Sequence, residues 1–430
     1  STHCISSAAS DVYKRQSVHR VFDPSLRRRP VIVLSNNDGC VVTRTAEAKA
    51  FGIGRGVPFF QIRGLAERHG AAVLSSNYEL YQSMSDRMMA VIRTLVPRQE
   101  IYSIDEQFAD VSGMENPTEI GREARARVLK WTGIPTCAGI APTKTLAKLC
   151  DHFAKIYPGF DGVLNWDELA DSRQEKAFAL TPVSEVWGVG ARTAAKLADR
   201  RVETVLDFVR MPRAAAGRLG GVMLERTWLE LQGEVCFPLE ETPARRRQIV
   251  RSRSFSEPVS ELESLLCAAA VRMDAAARVA RREGSEATVA GVAFSTSPFR
   301  LDEPQHAVDV SMRLSNPTAD TIELTEAVEA LVRRSWKPGF RYCRLGVVLS
   351  DLVPAVEGTA PAPSLFCSPA DEAQRARRRT LMQTADMITG RFGRDAIRTA
   401  ACLQATGWEM KRERLTPCCT TSWDEMLQVD

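Results

Sequence analysis

Asp105 and Glu106 stand side by side in an otherwise apolar stretch, with Ile101-Tyr102 before them and Phe108 and Val111 after. Adjacent acids at the tip of a strand repel each other and lose hydration unless a cation offsets them. Hard divalent cations prefer such oxygens. Two-metal phosphoryl transfer uses carboxylates to hold ions about 3.5–4 Å apart, where they clamp the attacking and leaving oxygens. A third carboxylate from another strand normally bridges the ions. In isolation the same pair would read as a solvated turn.

Lysine is scarce: 10 of the 57 basic residues. Three of the ten, Lys144, Lys148 and Lys155, fall within twelve residues. Offsets of 4 and 11 keep them on one helical face. Thr143 is placed to cap that helix, whose free N–H groups favour anions. This predicts a triphosphate site, with Arg44 and Lys49 closing the opposite side; a solvated helix face is the plain alternative. Farther on, Val186-Trp187-Gly188-Val189-Gly190 followed by Arg192 and Lys196 reads as a helix–hairpin–helix. Its backbone N–H groups can hold a DNA phosphate without reading sequence. A lone Gly-x-Gly also serves as an ordinary turn between helices.

The elements that must position these residues follow from periodicity. Val31–Val33 and Val41–Thr43 read as strands around the turn Asn36-Asn37-Asp38-Gly39. Leu80, Met84, Met88, Val91 and Leu95 recur at helical spacing. Ile101–Val111 is strand-rich, broken at Ser103–Glu106. Helix Ile120–Trp131, a strand over 136–141 and a helix from Thr143 to Lys155 complete an α/β or α+β region. Residues 166–235 read as all helical. Residues 253–350, with a strand starting at Gln248, follow the order β-α-β-β-α-β, a small sheet packed by two helices. Residues 353–370 are rich in Pro, Ala and Ser and read as linker. An Arg-rich helix (Arg375, Arg377, Arg378, Arg379) and a Thr- and Cys-rich tail follow.

A chain of 430 residues predicts two to four domains. With 44% hydrophobic and 26% charged residues it reads as globular. No apolar run approaches a membrane span, so no membrane partner is expected. The net charge of +4 does not by itself announce nucleic acid. Eleven cysteines without a CxxC pair predict neither a zinc site nor a disulfide framework, and the reducing cytoplasm is expected.

Several strings occur in order: Ser76-Asn77-Tyr78-Glu79-Leu80-Tyr81, Tyr102-Ser103-Ile104-Asp105-Glu106, Gly139-Ile140-Ala141-Pro142-Thr143-Lys144-Thr145-Leu146-Ala147-Lys148, Val186–Gly190 and Ser252-Arg253-Ser254-Phe255. Together they resemble the Y family of translesion DNA polymerases. Ser35–Cys40 and Trp408-Glu409-Met410-Lys411-Arg412 favour its UmuC branch. The resemblance implies a right-hand α+β architecture. Residues 17–75 would be an N-terminal palm remnant and fingers, 76–165 palm, 166–237 a helical thumb, 238–252 a basic linker and 253–352 the little finger. Residues 353–430 would be a linker and the C-terminal UmuC-type region.

The resemblance implies error-prone synthesis past lesions in the SOS response, on primer–template DNA, with dNTP and two Mg²⁺. Asp105 would be a metal ligand and Glu106 a second carboxylate there, assisting the 3′-hydroxyl. Arg44, Lys49, Tyr78, Ser103 and Lys155 would lie at the nucleotide. Lys144, Lys148, Gly188, Gly190, Arg192, Arg251, Arg253 and Ser254 would hold DNA. Leu365-Phe366 matches the end of a sliding-clamp peptide but lacks its leading Gln. The UmuD′ dimer and the RecA filament are the implied partners.

One departure stands out. The family opens with a strand bearing Asp and, five residues on, an aromatic sugar gate. Counting back from Val21-Phe22, those positions hold Ser10 and Arg15, with Asp11 one residue off register. Residues 1–16 are polar and without period, resemble translated adapter sequence and are expected to be non-native. The genomic copy is expected to carry Asp-x-Asn-x-Phe-Tyr there. Two other classes compete: a non-catalytic, polymerase-like DNA-binding accessory, and a nucleotide cyclase with a similar palm, which the hairpin and little finger disfavour.

Overall fold

A computed structural model describes residues 4–9, 14–240, 245–300, 302–355, 369–393, 396–403 and 412–427. The chain forms two compact units, residues 1–243 with 412–430, and residues 244–411. In the first unit the elements run β1 (Cys4–Ala9), α1 (Lys14–Phe22), β2 (Val31–Leu34), β3 (Val41–Arg44), α2 (Ala46–Ala50), α3 (Phe59–Arg68), β4 (Ala72–Ser75), α4 (Tyr78–Arg93), β5 (Arg98–Ile101), β6 (Glu106–Asp110), α5 (Pro117–Thr132), β7 (Thr136–Ala141), α6 (Lys144–Ile156) and β8 (Val163–Asn165). Four helices follow: α7 (Asp171–Leu180), α8 (Ala191–Ala198), α9 (Val205–Arg210) and α10 (Arg213–Leu231).

The larger sheet has the order β5-β6-β1-β7-β8, and a smaller one β3-β2-β4. Residues 4–9, set aside on their composition, are the middle strand of the larger sheet, antiparallel to both β6 and β7. Composition missed this strand because only Ile5 is large and apolar; the two neighbouring strands supply its hydrogen bonds. Met88 and Ile92 of α4, with Ala124 and Val128 of α5, pack with Ile5, Ala109 and Ile140 of the sheet. Leu146, Ala147 and Cys150 of α6 share a second cluster with Phe208 and Leu224 of the helical segment. Gly139 allows α6 to lie directly on β7: a Cβ there would be 2.1 Å from the Ala147 carbonyl oxygen and 2.2 Å from the Asp151 nitrogen.

The second unit contains β9 (Gln248–Val259), α11 (Leu262–Arg282), β10 (Ser285–Thr296), β11 (Ala307–Thr318), α12 (Thr321–Ser335), β12 (Tyr342–Pro354) and α13 (Pro369–Phe392). Its antiparallel sheet has the order β11-β10-β12-β9. Alternate residues (Val292, Phe294, Leu345, Val347) join Met273 and Ala276 of α11 and Leu324 and Val328 of α12 in a core of their own. The β-α-β-β-α-β order read from the sequence is the one observed, because period-2 strands and 3.6-period helices are both strongly marked there. The first five residues of β9 come from the stretch assigned to the basic linker. Among the described residues no helix is long and apolar enough to cross a membrane.

Candidate active site

The acidic pair lies where β5 turns into β6. Tyr102 and Ser103 donate their backbone N–H groups to the Glu106 carbonyl (3.1 and 3.0 Å), which closes the hairpin. Ser103 Oγ donates to Asp105 Oδ1 at 2.7 Å, and Ser85 Oγ of α4 donates to the Ile104 carbonyl. Ser103 is thus brought to Asp105. The register pairs Ala8 of β1 with Glu106 on one side and Cys137 on the other. Ser10 and Asp11 lie outside the described residues.

α6 faces the pair from above the sheet. Lys148 Nζ pairs with the Glu106 carboxylate and stands 4.9 Å from the Tyr102 ring centre. One turn on, Asp151 is fully buried. Its Oδ2 is 2.7 Å from Lys155 Nζ, and its Oδ1 has no partner. Burial pushes the Asp151 carboxyl up to about 6, against the pull of Lys155. Burial opposes the charge on Lys155, but Asp151, with Glu106 beyond it, outweighs that and raises the ammonium's pKa.

The first turn of α6 corrects the triphosphate reading. Thr143 caps the helix, but the anion at its N-terminus is already a protein carboxylate. Glu230 of α10, fully buried, accepts from Thr145 N (2.9 Å) and Thr145 Oγ1 (2.8 Å) with one oxygen, and from Cys236 N and Phe237 N with the other. Lys144 is likewise committed inside: Nζ meets the Glu100 carboxylate and the Pro238 carbonyl (2.8 Å), 5.0 Å from the Phe108 ring centre. Only the Lys148–Lys155 end of the face borders the acidic pair. The lysine spacing could not reveal this, because the carboxylates that occupy the first turn lie 44 and 86 positions away.

The Gly-x-Gly turn is tied to the same hairpin. Trp187 Nε1 donates to Tyr102 Oη at 3.0 Å, and its ring meets Tyr102, Phe108 and Phe237. Gly188 has φ +88°, a conformation that favours glycine, and Gly190 precedes α8. Arg192 and Lys196 are exposed one turn apart on α8. Arg44, on β3, has its Nε buried without a partner, and Lys49 is exposed on α2. Tyr78 opens α4; Arg15 lies over it and over Tyr81, 6.0 and 5.9 Å from the ring centres. Leu365 and Phe366 fall outside the described residues.

In the second unit, alternation along β9 separates the predicted DNA residues. Arg251 and Arg253 share the face of buried Ile249 and Phe255, whereas Ser252 and Ser254 share the open face. On that face Arg344 Nη2 donates to Ser252 Oγ at 3.3 Å. Gly346 and Gly291 keep the surface flat; a Cβ would lie 2.7 Å from Ser252 Cβ and 2.8 Å from Val348 Cγ2's sister methyl Cγ1 respectively. Arg344 and the exposed Arg313 were not singled out from sequence, although period-2 reading of Tyr342–Ser350 was enough to place Arg344 there.

Residues 15–152 match the impB/mucB/samB family, residues 246–360 its C-terminal domain, and residues 379–429 a domain of unknown function, DUF4113. The chain is 40% identical to Protein UmuC of Salmonella typhimurium over 417 residues, covering 96% of this chain and 97% of that one. It is 40% identical to Protein ImpB of the same species over 414 residues, covering 95% and 96%. With DNA polymerase IV of Moorella thermoacetica it shares 30% over 406 residues, covering 91% and 94%. Among solved structures, a chimera of the Y-family DNA polymerases Dbh and Dpo4 superposes with a TM-score of 0.63 at 19% identity, over 82% of this chain and 99% of that one. This chain therefore belongs to the impB/mucB/samB family, the UmuC-like branch of the Y-family translesion DNA polymerases.

Proposed function

We propose that the site built from Asp105, Glu106, Lys148 and Lys155 transfers nucleotides from dNTP to a primer on damaged template DNA, with two Mg²⁺. The observation that carries this is the hairpin that sets two hard oxygen donors beside Lys148 of α6, with Lys155 held farther along the same helix by Asp151. Asp105 and Glu106 suit Mg²⁺, and Lys148 on Glu106 supplies the positive charge that such a carboxylate requires. Among the described residues no group of three or more His, Cys, Asp or Glu forms a metal site, so the two acids are a partial ligand set. Bound Mg²⁺ would offset triphosphate charge and activate the primer hydroxyl. Lys155 would leave Asp151 to meet the triphosphate, Ser103 orients Asp105, and Tyr78 borders the sugar.

The Gly188–Gly190 turn with Arg192 and Lys196, and the open sheet face bearing Ser252, Ser254, Arg313 and Arg344, would grip the DNA backbone. Partnership with the UmuD′ dimer, the RecA filament and the sliding clamp stays part of this proposal, on the resemblance of the C-terminal region. Ser10 at the family's Asp position favours a second reading, a DNA-binding chain that polymerises poorly.

Mg²⁺-dependent primer extension separates the two. Restoring the acid with Ser10→Asp is expected to raise extension at least about a hundredfold over the parent chain, and Asp105→Asn in that background to abolish it. Equal rates for parent and S10D chains would refute the impairment. A S10D chain that neither extends a primer nor binds dNTP would overturn the catalytic assignment.

A further inference from the structure

The closing segment of the chain, residues 412–427, belongs to the same compact unit as the acidic hairpin. It also lies within the region that matches a domain of unknown function. It is seated on a specific place. Ser75 N donates to the Arg414 carbonyl at 2.9 Å, and Arg414 N donates to Ser75 Oγ at 3.0 Å, extending the free edge of β4. Arg412 pairs with Glu79 at 3.2 Å. Asn77, fully buried, uses Oδ1 to cap α4 through Leu80 N (3.1 Å) and Nδ2 to hold the Thr416 carbonyl (2.9 Å). Thr416 Oγ1 lies 3.2 Å from His19 Nδ1, and His19 Nε2 lies 2.7 Å from Tyr81 Oη. Tyr78 is the first residue of α4, directly after this clamped cap.

We infer that the terminal segment is a positioning element for the nucleotide site, holding the first turn of α4, and with it Tyr78, through Asn77 and the Thr416–His19–Tyr81 chain. The physical reason is the cap. A helix start is fixed only as well as its capping residue, and here that residue has one half of its amide in the helix and the other in the tail. Asn77 Nδ2 also reaches Thr416 Oγ1 (3.3 Å) and the Pro417 carbonyl (3.5 Å); a buried Asn that loses the 416–417 segment is left with an unmet donor, so it reorients and the first turn loosens. His19, buried and bonded on both ring nitrogens, carries the same restraint to Tyr81 one turn along. The inference rests on the nucleotide reading of Tyr78.

The test is equilibrium binding of dATP to the full-length chain on primer–template DNA with a templating dT and Mg²⁺, alongside binding of the DNA alone. The double variant Arg414→Pro, Thr416→Val removes the amide donor to Ser75 and the hydroxyl at His19. Its affinity for dATP is expected to fall at least fivefold, with DNA binding within twofold of the parent, which shows that it is folded. Faster amide exchange at Tyr78–Tyr81 should accompany the loss. Thr416→Ser, which keeps the hydroxyl, should behave as the parent does. Nucleotide affinity within twofold of the parent in the double variant would overturn the inference, as would an equal loss in Thr416→Ser. A parent chain that binds no dATP would instead count against the nucleotide reading itself.

Discussion

At the scale of single residues, the site is a set of charges that satisfy one another. Lys148 answers Glu106, Lys155 answers Asp151, and Lys144 answers Glu100. Buried titratable groups give this unit a defined response to pH. His19 is held neutral by burial, its pKa lowered to about 4. The unfolded chain takes up that proton near the ordinary value of about 6.5. The stability contributed by the neutral ring is therefore complete above about 6.5 and lost as pH falls towards 4, roughly 3 kcal/mol in all. Asp151 acts with the opposite sign: its raised pKa favours the folded state in acid and loses that contribution as pH rises from about 4 to 6. Urea midpoints between pH 7 and 4.5 should fall less steeply in His19→Gln than in the parent, and more steeply in Asp151→Asn. Parallel curves for all three chains would show that neither group titrates as described. On the second unit, Arg344→Ala should weaken DNA binding and lower its salt slope by about 1; an unchanged slope would remove Arg344 from the interface.

At the scale of elements, α6 is the part everything else depends on. Its N-terminus is closed by Glu230, its middle rests on Gly139, and Lys148 in its second turn and Lys155 in its last carry the cations on the side of the acidic hairpin. Gly139→Ala puts a methyl group into the helix backbone, an overpacking that no rotamer change relieves. A loss of at least about 3 kcal/mol is expected. Glu230→Ala removes the acceptor of four hydrogen bonds and is expected to cost about 2–4 kcal/mol, with Glu230→Gln recovering part of it. Denaturant unfolding of the first unit measures both; a change below about 1 kcal/mol for either would contradict the role given to that contact. The helix, its face and its capping Thr143 were legible from spacing alone. The commitment of its first turn was not, since Glu100 and Glu230 reach it only through the fold.

At the scale of the whole molecule, the two units have separate cores: one built on the four-stranded sheet with α11 and α12, the others within the first unit. Units of this kind unfold as separate cooperative blocks. Calorimetry of the full chain should show two transitions, and Gly139→Ala should lower one while leaving the other in place. A single transition displaced as a whole by that substitution would mean that the units are energetically one. The segment 412–427 returns to the first unit after the second is complete, so its amide protection should follow the transition that Gly139→Ala lowers.

Sequence alone determined the class of the molecule: the acidic pair at a strand break, the rare lysines on one helix, the glycine turn and the β-α-β-β-α-β order are local patterns, set by periodicity and residue type. Tertiary structure decided which of those residues are available. It turned Lys144 inward and filled the α6 N-terminus with Glu230. It put Arg251 and Arg253 on the packed face of β9, with Arg344 on the open one. It made residues 4–9 a central strand despite their bland composition. It also joined Thr416 to His19 across nearly 400 positions. The reason is common to all five: a side chain's partners at long sequence separation are chosen by packing and by the need to pair every buried charge and hydrogen-bonding group, and neither requirement leaves a periodic trace in the chain.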